Sequence, residues 1–191
     1  MKKIIFILLT FIGLTAFKTI QKTWVNDDPH TQLNFEVTHL GINQISGAFT
    51  DVDITLSAKK KDFSDSKFQF TAKTASIDTR VEARDNHLKS ADFFNTEKFK
   101  TLNFTSSSIK KLKENTYQIS GELTMHGVSK EITLDAIYRG HQKNPANNKE
   151  AEAFQITGTL NRSDFNIGND FPESLISNEV KIEANIEFIQ Q

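Results

Sequence analysis

The chain contains no cysteine, and in 191 residues it has only 3 prolines, 1 tryptophan and 2 tyrosines. The lack of cysteine excludes disulfides, thiolate metal sites, a cysteine nucleophile and a lipid-anchoring cysteine. Neither sign of charge is in excess, with 23 Lys and Arg against 24 Asp and Glu. A nucleic-acid partner would call for a basic stripe, and none is present. Charged residues make up 25% of the chain, an ordinary share that argues against a disordered protein. The longest apolar run, Ile4 to Leu14, falls short of the roughly 20 residues that span a bilayer. What the chain has in quantity is phenylalanine, 16 in all. The length suits one domain with a core of its own.

The apolar run follows Lys2 and Lys3, is followed by the small pair Thr15-Ala16, and ends at Lys18. This three-part order is that of a secretory signal peptide, with cleavage expected after Ala16. An uncleaved N-terminal anchor is the alternative. On the first reading residues 1–16 are an address, and residues 17–191 are a single exported, soluble domain.

Beyond the signal the hydrophobic period is two. Leu33, Phe35 and Val37 share one parity, as do Val52, Ile54 and Leu56, and Phe68, Phe70 and Ala72. Leu102 and Phe104 continue the pattern, followed by Tyr117 to Met125, Ile132 to Tyr138, Phe154 to Arg162, and Val180 to Phe188. These are eight strands with one apolar and one polar face. Lys113-Glu114-Asn115 and His126 to Lys130 read as tight hairpins, and Gln142 to Glu150 as a longer exposed loop. One segment breaks the period. Thr79-Arg80-Val81-Glu82 has capping-box spacing, and Arg80 to Ala91 holds good helix formers without Gly or Pro. A helix over 80–91 is expected between the third and fourth strands, with Val81 and Leu88 on its inner face and Asp92 capping a short turn through Phe93 and Phe94.

Eight such strands must deal with their edges, and closure into a barrel removes them. The short connections favour an up-and-down barrel over a two-sheet sandwich. A barrel of eight strands is either just filled by its side chains or holds one small ligand. Ala72, Gly121, Ala136, Gly158 and Ala184 all lie on the apolar parity. They either permit strand curvature or leave space for a guest. Phenylalanine without polar handles suits a wall that touches hydrocarbon.

Several segments together resemble the YceI family of bacterial periplasmic proteins. Arg84-Asp85-Asn86-His87-Leu88 is followed by Asp92-Phe93-Phe94, Phe99 and Phe104-Thr105-Ser106, matching the family's R-D-x-H-L, D-F-F and F-x-S. Gly121 to Lys130 looks like its G-x-L-T-x-x-G-x-x-K hairpin, and Arg162 to Ile167 is similar to its R-x-D-F-G-I. Trp24, His30, Thr31, Phe35, His39-Leu40-Gly41 and Gly47-Ala48-Phe49 fit the family's opening. Lys100 replaces a usual proline. Asn166 replaces a usual glycine, and asparagine is the best substitute where φ is positive.

The resemblance implies an all-β, lipocalin-like antiparallel barrel in the periplasm that binds an isoprenoid or other long-chain amphiphile. It implies neither catalysis nor a cofactor. On parity the wall consists of Phe35, Val37, Phe49, Ile54, Phe68, Phe70, Phe104, Leu123, Leu134, Ile156, Leu160 and Ile182, with Leu88, Phe93 and Phe94 closing one end. Replacing Gly158 or Ala136 with Phe should then block the ligand. Arg84, Asp85, His87 and Arg162 either contact a head group or pair internally to dock the helix, and Asp164 faces the same choice. Transient membrane contact and a dimer are both compatible with this reading. The enzyme alternatives are a metal site from His39, His87 and His126 and an ester hydrolase. The histidines lack ligand-pair spacing, and there is no G-x-S-x-G. A packed structural barrel without ligand is the third alternative.

Overall fold

The period-two alternation becomes eleven hydrogen-bonded segments in a computed structural model that describes residues 20–145 and 148–191. The expected signal peptide, residues 1–16, lies outside the described residues. The strands are β1 (Lys22–Asn26), β2 (Gln32–His39), β3 (Asn43–Phe49), β4 (Val52–Ala58), β5 (Lys67–Lys73) and β6 (Ile77–Asp78). After helix α1 (Glu82–Lys89) come β7 (Thr101–Lys113), β8 (Thr116–Met125), β9 (Val128–Lys143), β10 (Glu150–Asn161) and β11 (Ile176–Gln190).

Eleven segments make eight staves because three staves are kinked. β1 and β2 lie end to end across a short 3₁₀ turn at Asp28–His30. β3 continues into β4, and β5 into β6, so that β2 pairs β3 where β1 pairs β4. Asn26 ties the first kink to the second: its side-chain amide donates to the Val52 carbonyl, and its Oδ1 accepts from Ile54 N–H at 2.7 Å. The last stave, β11, closes the cylinder by pairing antiparallel with both β1 and β2. The result is the closed eight-stranded antiparallel barrel that parity predicts, its first and last staves joined along β1, β2 and β11. The sequence reading marks eight strands but misses β1, β3 and β6: β1 and β6 are short, and β3 carries a glycine between Ile45 and Phe49 on its inward parity.

Turn chemistry sets the register. His126 and Gly127 form a two-residue hairpin with φ +52° and +78°, the primed geometry whose twist matches the strands. Asn166 takes φ +57°, so the turn survives the loss of the family's glycine. A bulge in β7 falls between Ser106 and Ser108, and the Ser106 hydroxyl accepts the Phe68 N–H at 2.9 Å. Gly121 faces this bulge. A Cβ there would collide with the Thr105 carbonyl, so the glycine admits backbone rather than a ligand.

The helix is shorter than expected, and its capping box does not form. Arg80 sits at φ +67°, and the Thr79 N–H and hydroxyl both donate to Asp85 Oδ1, at 2.8 and 2.5 Å. Asp85, not Glu82, captures the threonine, and the helix therefore starts two residues late. Val81 is 46% exposed rather than inward, and Leu88 alone of the expected pair packs on the core. Asp92 caps nothing and instead accepts from His87 Nε2 at 2.9 Å.

One end of the barrel is solid. The loop between β4 and β5 tucks Phe63 inside, and its ring meets Trp24, Tyr138 and Phe154 at centroid distances of 5.3–5.6 Å. Phe68 and Phe188 complete this aromatic floor. The phenols are anchored there: Tyr117 donates to the Asp62 carbonyl at 2.7 Å and Tyr138 to Glu152 Oε2 at 2.6 Å.

Burial raises the pKa of both phenols, and for Tyr138 the Glu152 carboxylate raises it further. The folded chain thus holds its tyrosine protons above pH 10, where the unfolded chain releases them. Because the folded state then binds more protons, stability falls as pH rises past 10 and is unaffected below it. With only two tyrosines, absorbance at 295 nm is a clean reporter. Native protein is expected to show little tyrosinate near pH 10.5, and urea-unfolded protein most of its full amplitude.

Candidate functional site

Above the floor the inward side chains stop meeting. Leu33, Phe35 and Val37 point inward yet are only half-buried, because they line an internal cavity of about 390 Å³. A smaller space of about 80 Å³ lies deeper, between the cavity and the floor. Leu33, Phe70, Leu123 and Ile182 border both and form the constriction between them.

Each of the fifteen predicted wall residues borders one of these spaces. Phe35, Val37, Phe49, Leu88, Phe93, Phe94 and Leu160 line the larger, while Ile54, Phe68, Phe104, Leu134 and Ile156 line the smaller. Phe70, Leu123 and Ile182 line both. Sequence reasoning misses Leu33, Ile45, Leu102, Met125, Ile167, Phe171, Leu175, Ile176 and Val180. The strand members among them share the apolar parity and were open to detection. Ile167, Phe171 and Leu175 lie in an irregular loop that has no period to read.

The small residues do not make the hollow. Of the five, only Ala184 borders it. Ala72 and Ala136 are packed at 0% and 1% exposure, and the space beside Gly158 is taken by the end of the Leu134 side chain. Enlarging Gly158 or Ala136 would therefore strain the wall rather than plug the cavity, contrary to the sequence expectation. The space lies under α1 and the loop after β10, which contribute Leu88, Ile167 and Phe171 to its lining.

The polar residues at this end are occupied with one another. Arg162 is 7% exposed, and its five N–H groups all donate to carbonyls. Nε reaches Ser177, Nη1 reaches Ile167 and Gly168, and Nη2 reaches Phe171 and Ile176. Burial lowers its pKa, opposed by nearby Glu173. Arg84 donates to the Thr79 hydroxyl at 2.7 Å and the Thr79 carbonyl at 2.8 Å. Arg84, His87 and Arg162 border the cavity; Asp85 does not. Asp85 and Arg84 together dock α1 onto the strand end through Thr79, and Arg162 has no N–H left for a head group. Asp164 pairs with Lys130 at 2.8 Å, which holds its carboxyl below the usual range.

The three histidines of the metal alternative do not converge. His87 bonds Asp92, and His126 Nδ1 donates to the Phe165 carbonyl at 3.2 Å with its ring against Phe99. His39 faces the cavity. Among the described residues, the one group of three potential ligands within 4.8 Å is Asp27, His30 and Glu187, on the outside of the stave junction.

A closed antiparallel barrel, solid at one end and hollow with apolar walls at the other, is of the lipocalin-like class. Within that class the chain belongs to the YceI-like family, whose domain model matches residues 24–188. A UPF0312 protein of Staphylococcus aureus (strain MSSA476) is 36% identical over 168 residues, covering 85% of this chain and 94% of that protein. The crystal structure of the Campylobacter jejuni YCEI protein superposes with a TM-score of 0.73 at 31% identity, over 81% of this chain and 90% of that one. Two more distant structures share the fold. Burkholderia cenocepacia BcnA has a TM-score of 0.77 at 20% identity, covering 85% of this chain and 98% of its own. A polyisoprenoid binding domain from Saccharophagus degradans, implicated in plant cell wall breakdown, has a TM-score of 0.64 at 14% identity, covering 88% and 98%.

Proposed function

We propose that this protein is an exported, periplasmic carrier or store for one long-chain amphiphile of isoprenoid type, whose tail occupies the barrel cavity. The observation that carries this reading is the apolar cavity itself, ringed by Phe35, Phe49, Phe70, Phe93 and Phe94 and stopped by an aromatic floor. The polyisoprenoid binding domain from Saccharophagus degradans, with the same fold, supports the class of ligand. Ten buried methylenes contribute about 8 kcal/mol gross against the cost of association, and each further buried methylene adds about 0.8 kcal/mol, so a longer tail is held more tightly.

The two rim arginines differ in what they can offer a head group. Arg162 spends all five N–H groups on backbone carbonyls, whereas Arg84, which lines the cavity, spends two of its five on Thr79. His39 lines the cavity and makes no side-chain hydrogen bond with the described residues. It is the side chain best placed to meet a hydroxyl or carbonyl on the ligand.

Native mass spectrometry of protein purified without detergent from the cells that make it, paired with solvent extraction, tests this reading. A stoichiometric adduct that extracts into organic solvent is expected. A bare mass, with delipidated protein that takes up neither polyprenyl nor fatty-acyl lipids, would overturn it.

A further inference from the structure

The β2–β3 hairpin tip carries apolar side chains in an arrangement that the fold does not require. Leu40 and Gly41 both adopt left-handed backbone, φ +53° and +71°, and the Ile42 N–H closes the turn on the His39 carbonyl at 3.2 Å. Asparagine, aspartate and glycine are the residues suited to the Leu40 position, and leucine is strained there. The strain is not repaid by packing, since Leu40 is 53% and Ile42 87% exposed. Hydrogen bonding fixes the tip in place: the Leu40 N–H donates to the Leu175 carbonyl at 2.9 Å.

The tip stands at the cavity mouth. His39 and Ile45, on either side of it, line the cavity, as does Leu175. Val81, just before α1, is another exposed apolar side chain. From Val37 to Thr50 the hairpin contains no Asp, Glu, Lys or Arg, so it can leave water without stripping a formal charge.

We propose that this hairpin tip is a membrane-docking finger that seats the cavity mouth on a neutral lipid surface. The proposal rests on the lipid-binding reading and names the partner from which the ligand is drawn. A bilayer fits better than the alternatives. Two protruding side chains fall far short of the roughly 800 Å² per partner that a stable protein interface buries. A deformable lipid surface accepts such a finger.

The test compares the parent with the Leu40→Asn/Ile42→Ser double variant. Asparagine is at ease in left-handed backbone, so the variant is expected to fold at least as stably. Transfer of a fluorescent prenyl alcohol is followed from phosphatidylcholine vesicles and, separately, from a vesicle-free dispersion. Vesicle-free loading is expected to be unchanged. Transfer from vesicles is expected to slow by about tenfold, the scale that partial burial of two aliphatic side chains supplies. Equal transfer from vesicles by both proteins, with loading intact, would overturn the proposal. If the parent loads no lipid even without vesicles, the lipid-binding reading fails. Flotation then decides docking by itself: parent that rises with phosphatidylcholine vesicles, and variant that does not, supports the finger, while parent that stays behind overturns it. Sedimentation velocity that shows parent self-association abolished in the variant would assign the tip to a second copy instead and overturn the membrane assignment.

Discussion

Replacement of Arg162 by methionine is expected to lower the melting temperature by about 10 °C, the largest effect of any single rim substitution. Methionine keeps the apolar stem of the side chain out to the position of Nε but supplies no donor. Five carbonyls, from Ser177, Ile167, Gly168, Phe171 and Ile176, would lose their partner together. A buried acceptor left unpaired costs about 1–3 kcal/mol, and partial relaxation or entering water would bring the total to about 4 kcal/mol. At about 2–4 °C per kcal/mol for a chain of this size, that is roughly 10 °C. Arg162→Lys is expected to recover only a fraction, because an ammonium has three donors on a point rather than five on a planar fork. The loss is also local. The loop that Arg162 gathers carries Ile167, Phe171 and Leu175 of the cavity wall, so hydrogen exchange should rise there first. A methionine variant that melts within about 2 °C of the parent would show that the guanidinium does not hold this loop.

The second expected result concerns the cavity. Val37→Trp should abolish most lipid retention while leaving the melting temperature unchanged or slightly raised. Val37 pairs with Val180 across the seam between β2 and β11, and both side chains face the cavity. The added indole enters existing space rather than a packed core, so the usual cost of overpacking is avoided. If it displaces about four methylenes of ligand, about 3 kcal/mol of burial is lost, or roughly 100-fold in affinity. Thr159→Trp, on the outer face of β10, adds the same surface outside the barrel and should retain ligand as the parent does. A folded Val37→Trp protein that still carries stoichiometric lipid would place the ligand elsewhere.

The legibility of this molecule in its sequence follows its periodicity. Strand parity is dictated by which face meets the core, and it placed Phe35, Phe70, Leu123 and Ile182 on the inside. Where backbone geometry departs from the period, the sequence is silent. The kinks at Asp28–His30 and at Thr50–Asp51 hide β1 and β3, since β1 is only five residues long and β3 has Gly47 between Ile45 and Phe49 on its inward parity. The capping box at Thr79 fails for a tertiary reason, because Asp85 competes for the same hydroxyl and wins. Arg162 was open to two roles on sequence alone. Its saturation by carbonyls depends on a loop whose path no pattern specifies. Gly158 misled for a related reason: which neighbour fills the space beside a glycine is settled across strands, by Leu134, and not along them.

The aromatic floor has a kinetic meaning. With the far end filled, a lipid held in the cavity as proposed would leave tail last by the mouth it entered. Loading and unloading then share a single transition state, and the protein imposes no direction of its own. Net flux would run down whatever gradient of free lipid separates two surfaces. A one-way route would need a sink at the receiving end, such as an enzyme that consumes the delivered lipid.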